Sequence, residues 1–167
     1  MRNLPRVAIG AVQPQADYRP LLWGLLQCLE ESGVQTQCFC SQSQFPAVDG
    51  ITSITGRSHR HLDAQLMSSQ ICREVLAHGA KAADLSIVEA GLLGAGTSSD
   101  QLIGWLELPR VVVLDVENID PCQIPRRPES VDGLFLTGAS DHRHFTQERL
   151  RWETLWNAPV LGGLVGA

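Results

Sequence analysis

At 167 residues, 44% of them apolar and 19% charged, the chain is long enough for one domain with an ordinary core and too apolar for intrinsic disorder. A formal net charge of -5 argues against a nucleic-acid or anionic-membrane surface, which usually carries a basic stripe. The 5 cysteines form an odd set, the start lacks a long apolar leader, and no run approaches transmembrane length; these features fit free thiols in a reducing cytoplasm.

Arg6–Gly33 reads as a strand, a turn and an amphipathic helix, the unit that opens many nucleotide-binding α/β domains. Val7, Ala8 and Ile9 suit a buried parallel strand ending at Gly10. Leu21, Leu22, Leu25, Leu26 and Leu29 recur at helical spacing, and Gly33 stands where a C-terminal cap belongs. A phosphate-binding loop between them would read G-x-x-x-x-G-K-[ST]; residues 11–20 read AVQPQADYRP.

Val34–Cys40 is expected to be a strand, with Val34, Thr36 and Cys38 alternating against Gln35, Gln37 and Phe39. Ser41–Arg60, with Pro46, Gly50 and Gly56, reads as a long loop, followed by a helix over Leu62–His78. Asp84–Glu89 is a strand ending in an acid, glycine-rich Ala90–Thr97 follows, and Ser98–Glu107 is a short helix. Arg110–Val116 has the aliphatic run of a strand covered on both faces. Pro121, Pro125 and Pro128 exclude a helix from Glu117–Ser130. Val131–Leu136 returns to strand, and Thr146 is the expected N-cap of a helix carrying Trp152, Leu155 and Trp156, with Phe145 and Leu150 as its staple. Pro159–Leu161 would be the last strand. Alternating strands and helices predict a single three-layer α/β domain over residues 1–167, with a mostly parallel sheet and ligands at the strands' carboxyl ends.

Several segments, in this order, resemble the N-terminal domain of the cobyrinic acid a,c-diamide synthase family, P-loop amidotransferases related to dethiobiotin synthetase. Residues 55–63, TGRSHRHLD, are similar to the family's T-G-R-x-x-x-N-L-D, with His61 in place of Asn. Residues 83–90, ADLSIVEA, resemble A-D-L-x-V-V-E-G, and 97–115 resemble its next helix and strand. Residues 133–137, GLFLT, look like G-V-I-L-N, and 159–164, PVLGGL, look like P-V-L-G-A-L. The resemblance implies a P-loop NTPase-like fold, and chemistry in which ATP phosphorylates a carboxylate and ammonia from a glutaminase domain displaces the phosphate. No glutaminase domain is expected in this chain.

Carried over by position, the resemblance implies a degenerate Walker A loop, with Gly10 and Ala11 at its start, Asp17 at its last glycine, Tyr18 at its lysine, and Arg19 and Pro20 at its hydroxyl positions. The family's F-K-x-G-P-D appears as residues 39–44, FCSQSQ, without its lysine or metal-binding aspartate. Glu89, a magnesium ligand in related enzymes, and Asp63 persist. The expected reading is a vestigial nucleotide loop (Gly10, Ala11, Asp17, Tyr18, Arg19) in a binding or assembly module that has lost catalysis. It would act as a homodimer or with a partner protein. The alternative is an active ATP- and magnesium-dependent amidation or ligase domain of corrinoid (cobalamin) biosynthesis, using an altered loop.

Arg57, His61, Asp63, Glu89 and Thr137 are the candidate groove for an anionic small molecule. Arg57, His59, Arg60 and His61 either receive carboxylates, which arginine pairs bidentately, or form a solvated basic loop. Glu89 either binds a cation or ends its strand in water, and Asp63 either meets a ligand or caps a helix. Cys38-x-Cys40, His59-x-His61 and His142-x-His144 bring soft-metal ligands, but without a CxxC pair or a fourth ligand no metal is expected and core thiols are the simpler reading.

Overall fold

The computed structural model describes residues 4–41, 50–92, 98–120, 122 and 124–166. The elements run β1 (Arg6–Ala11), α1 (Arg19–Glu31), β2 (Thr36–Cys40), α2 (Gly50–Thr55), β3 (Arg60–His61), α3 (Ser69–Gly79), a 3-10 turn (Ala80–Ala82), β4 (Leu85–Glu89), α4 (Ser98–Leu106), β5 (Arg110–Asp115), β6 (Gly133–Ala139), α5 (His142–Trp156) and β7 (Val160–Val165). The sheet has 7 strands in the order β3-β2-β4-β1-β5-β6-β7. Every pairing is parallel. Progress along the sheet reverses around β1, so the crevice at the carboxyl ends of β1 and its neighbours is the default ligand position.

The two sheet faces bury separate cores. Ile9, Cys38, Ile87, Val111 and Val113 pack against Leu21, Leu22 and Leu26 of α1 and Ile51 of α2. On the other face Ala8, Phe39, Val88, Val112, Leu114, Leu134 and Leu136 meet α3, α4 and α5. Alternate residues of each strand thus feed opposite layers, which is why β5 reads as an unbroken aliphatic run. Trp152 and Trp156 anchor α5 edge to face, their ring centroids 5.5 Å apart. No helix among the described residues is long and apolar enough to cross a membrane.

Helix α1 ends as its sequence suggests. Gly33 sits at φ +78°, its N–H donates to Glu30 O, and Val34 N–H donates to Leu29 O, the paired bonds of a Schellman cap. Elsewhere local chemistry moves the boundaries. The stretch 41–60 is not one loop: Gly50–Thr55 is helical and Arg60 begins β3, while residues 42–49, including Pro46 and part of the FCSQSQ segment, lie outside the described set, as do 93–97 of the glycine-rich stretch. α3 starts at Ser69 instead of Leu62, because Ser68 is its N-cap and accepts from Ile71 N–H. Asp63 instead folds a tight turn ahead of it, its carboxylate accepting from Gln65 N–H at 2.8 Å and its carbonyl from Met67 N–H. The N-cap of α5 is Asp141, which accepts from His144 N–H, and not Thr146, whose hydroxyl bonds back to His142 O inside the helix. The staple therefore does not form, and Leu150 is 62% exposed. β2 is buried on both faces through Phe39, so the expected polar side of Gln37 and Phe39 is interior. Residues 131 and 132 precede β6, which runs on to Ala139.

Candidate functional site

At the carboxyl edge, Gly10 closes β1 against the chain leaving β4. A Cβ there would stand 1.7 Å from Ala90 O, so only glycine lets the two backbones approach. Ala11, the last residue of β1, is buried, and its carbonyl accepts from Leu92 N–H. The following loop folds down onto the sheet. Gln13 is buried, its amide nitrogen donating to Asp115 O at 3.0 Å and its amide oxygen accepting from Asp115 N–H at 2.8 Å. This two-way clip ties the loop to the end of β5. Ala16 N–H closes the turn on Gln13 O.

Asp17 and Arg19 then form a clamp across the entry to α1. Arg19 Nε and Nη2 donate to the two carboxylate oxygens at 2.7 and 2.8 Å, and Arg19 N–H donates to Oδ1 at 3.1 Å. Arg19's guanidinium, with its backbone N–H, holds the Asp17 carboxyl below the usual carboxylate range, against a smaller opposing effect of burial. A helix N-terminus binds anions through the donors of its first turn. Here Arg19's donor is occupied by the protein's own carboxylate, and Pro20, at the start of the helix, has none.

Tyr18 turns inward instead of reaching for solvent. Its hydroxyl donates to Glu89 Oε2 at 3.4 Å, and burial, followed by the Glu89 charge, pushes its phenol well above the ordinary tyrosine range. On Glu89's other oxygen, His59 Nε2 lies 2.9 Å from Oε1, both side chains being largely shielded. The register places Ile9 and Cys40 beside Glu89 on the flanking strands. The strand-end carboxylate is therefore neither solvated nor open: a phenol and an imidazole close over it.

The five residues of the candidate groove do not share one surface. Glu89 ends β4, and His61 lies in the edge strand β3, level with Cys40, which is itself level with Glu89. Thr137 lies on β6, three strands from β4, a span of about 14 Å at ordinary strand spacing. Its hydroxyl points back to Leu114 O at 3.5 Å. Arg57 reaches away from Glu89, its Nη2 donating to Ala82 O at 2.5 Å and to Gln35 Oε1 at 3.2 Å, near the amino-terminal ends of β2 and β4. Asp63 serves its own turn, as described. Among the described residues no group of three or more His, Cys, Asp or Glu is placed to hold a metal ion. Sequence reasoning overlooked Gln13 and left His59 off the groove. A single amide beside one proline carries no periodic signal, and His59 immediately precedes a strand only two residues long.

The comparisons fit this frame. No family model matches the chain. It is 23% identical to the cobyrinate a,c-diamide synthase of Dehalococcoides mccartyi (strain CBDB1), over 98% of this chain and 39% of that one. It is 26% identical to the cobyrinate a,c-diamide synthase of Methanosarcina barkeri, over 97% of this chain and 37% of the relative. The hydrogenobyrinate a,c-diamide synthase of Thermobifida fusca is 25% identical, over 96% and 38%. The chain thus spans less than two fifths of the length of these curated relatives. Among solved structures, signal recognition particle 54 kDa protein from Aeropyrum pernix K1, in complex with GDP, superposes with a TM-score of 0.59 at 12% identity, covering 99% of this chain and 42% of that one. The resemblance to cobyrinate a,c-diamide synthases therefore extends along nearly the whole chain, and the fold is a parallel three-layer α/β domain of the P-loop NTPase class.

Proposed function

We propose that the chain is a cobyrinate a,c-diamide synthase-like domain that has given up ATP-dependent catalysis and serves as a binding or assembly module, by self-association or with a partner protein, in relation to cobalamin biosynthesis. One observation carries the reading: at the head of α1, where the resemblance would put a phosphate, the Asp17 carboxylate is bound by Arg19's guanidinium and accepts from Arg19 N–H. Two further features support it. Tyr18, at the position the resemblance assigns to the loop lysine, contributes no ammonium and is spent on Glu89. Glu89, at the position of a magnesium ligand, is spent on Tyr18 and His59. Catalysis of phosphoryl transfer rests on donors and cations held ready for the phosphates, and in this loop those roles are filled internally.

The experiment is an isothermal titration of the protein with ATP and magnesium. Absence of saturation tighter than about 100 µM, an affinity near 5.5 kcal/mol, is the expected result. Saturable tighter binding that depends on residues 11–20 would instead support the second reading, an active ATP-dependent amidation or ligase domain with an altered loop. The names of the relatives favour that alternative.

A further inference from the structure

Away from the α1 loop, the edge strand β3 and the C-terminal end of α3 enclose a cleft of about 510 Å³. Its lining includes Arg57, Arg60, His78 and Lys81, and no carboxylate. That is a concentration of positive charge on a chain whose formal net charge is -5. Among the described residues, no hydrogen bond or ion pair engages the side chains of Arg60, His78 or Lys81. Arg57 is anchored, but both of its bonds use Nη2, so Nε and Nη1 keep their donors.

Helix geometry accounts for part of this charge. Lys81 stands in the 3-10 turn that follows α3, where a cation complements the carbonyl end of a helix. It does not account for Arg60, which comes from the strand, or for Gly79. Gly79 has an ordinary helical φ of -66°, so its backbone does not call for glycine. A Cβ there would stand 2.7 Å from the Phe39 ring and 2.8 Å from Arg60 Cδ, so the missing side chain lets the arginine stem lie close against the end of α3. With a side chain at residue 79, the Arg60 stem could not lie where it does along the cleft.

We propose that this cleft binds a small polyanion, a molecule carrying two or more phosphate or carboxylate groups, with Arg60 and Lys81 as its ion-pairing residues and Arg57 as an anchored donor. Guanidinium and ammonium groups converging on one concavity, without acids between them, suit multidentate oxyanions. The volume admits a small metabolite and falls within the range of ordinary ligand pockets. The cleft shares His59 with the Glu89 cluster, but Arg60 and Lys81, its proposed ion-pairing residues, are not part of that cluster, and nothing in the proposal requires the α1 loop to be active or inactive.

The test is calorimetric titration of the full chain with inorganic pyrophosphate in one arm and citrate in the other, at low and moderate salt. Saturable binding of either probe, weakened about ten-fold or more in the Arg60→Gln, Lys81→Gln double variant and by added salt, is expected; the tighter probe identifies the oxyanion class. Both substitutions are at exposed positions, so the fold should persist, and an unchanged urea midpoint checks it. Saturation equally tight in the double variant, or none by either probe at millimolar concentration, would overturn the proposal. An ATP titration that saturates in the wild type but not in the double variant reports this cleft, whereas one that saturates in both reports the α1 loop.

Discussion

Replacing Asp17 with glycine would open the anion position at the head of α1, and the size of the effect can be worked from the contacts. Taken as a lone carboxylate about 4 Å from a phosphate charge, Asp17 would repel it by roughly 4 kcal/mol at an effective dielectric near 20, about a thousand-fold in affinity. The structure reduces that figure. Asp17 is paired bidentately with Arg19, and the side chains are 50% and 64% exposed, so the pair is close to neutral at a distance and screened by solvent. What an incoming phosphate must then do is displace an exposed, solvent-screened hydrogen bond from Arg19 N–H, an exchange on the order of two- to ten-fold in affinity. Asp17→Gly should therefore strengthen binding of ATP and magnesium by a factor within that range and leave it weak, because no lysine is restored at Tyr18. The measurement is calorimetry in an Arg60→Gln, Lys81→Gln background, which removes the basic cleft from the reading. Wild-type affinity tighter than about 100 µM in that background, or no change on Asp17→Gly, would show that the clamp is not what keeps phosphate out.

Other consequences follow from single contacts. Tyr18 is the only tyrosine, so absorbance near 295 nm follows its phenol alone; it should remain protonated through pH 10, the ordinary midpoint, and a midpoint near 10 would contradict its burial against Glu89. Because the folded state holds that proton more tightly than the unfolded one, the contribution to stability is complete below about pH 10 and declines as pH rises toward the folded value. Asp17 has the opposite sign: its pKa is lowered, so its contribution is present above the unfolded value of 3.8 and is lost as pH falls through the folded one, and carboxyl-carbon NMR should show the titration moving upward in Arg19→Gln. Gln13→Ala removes both partners of the Asp115 backbone and should cost about 1–3 kcal/mol in urea unfolding, with a value near zero indicating that the clip is incidental. Trp152→Ala should cost about 3–5 kcal/mol by the same measurement, since the side chain is fully buried and Trp156 leans on its ring.

The frame was legible in the sequence because it rests on periodicity. β1, β4, β5 and α1 each expose their role through runs of aliphatic residues, and Gly33 marks a helix end that the backbone then honours with φ +78°. Capping was less legible. Ser68 and Asp141 beat Leu62 and Thr146 as helix boundaries because a hydroxyl or carboxylate positioned to accept from the third residue onward outweighs the apolar pattern that begins or resumes nearby. β3 was hidden for a different reason: Arg60 and His61 carry no strand signature, and they join the sheet only through register with Phe39 and Cys40.

The loop before α1 marks the limit between composition and arrangement. By the family resemblance alone, Asp17, Tyr18 and Arg19 fall at the positions of a glycine, a lysine and a hydroxyl residue. In space they act together: Arg19 neutralises Asp17, Asp17 takes the donor of Arg19, and Tyr18 turns to share Glu89 with His59. A loop that had merely decayed would leave polar groups without partners, at a cost of about 1–3 kcal/mol for each one buried. Here Asp17 and Arg19 are satisfied by one another, and the Tyr18 hydroxyl by Glu89 Oε2. On the proposed reading, these internal contacts take the place of phosphate contacts at the head of α1, beside the parallel sheet around β1.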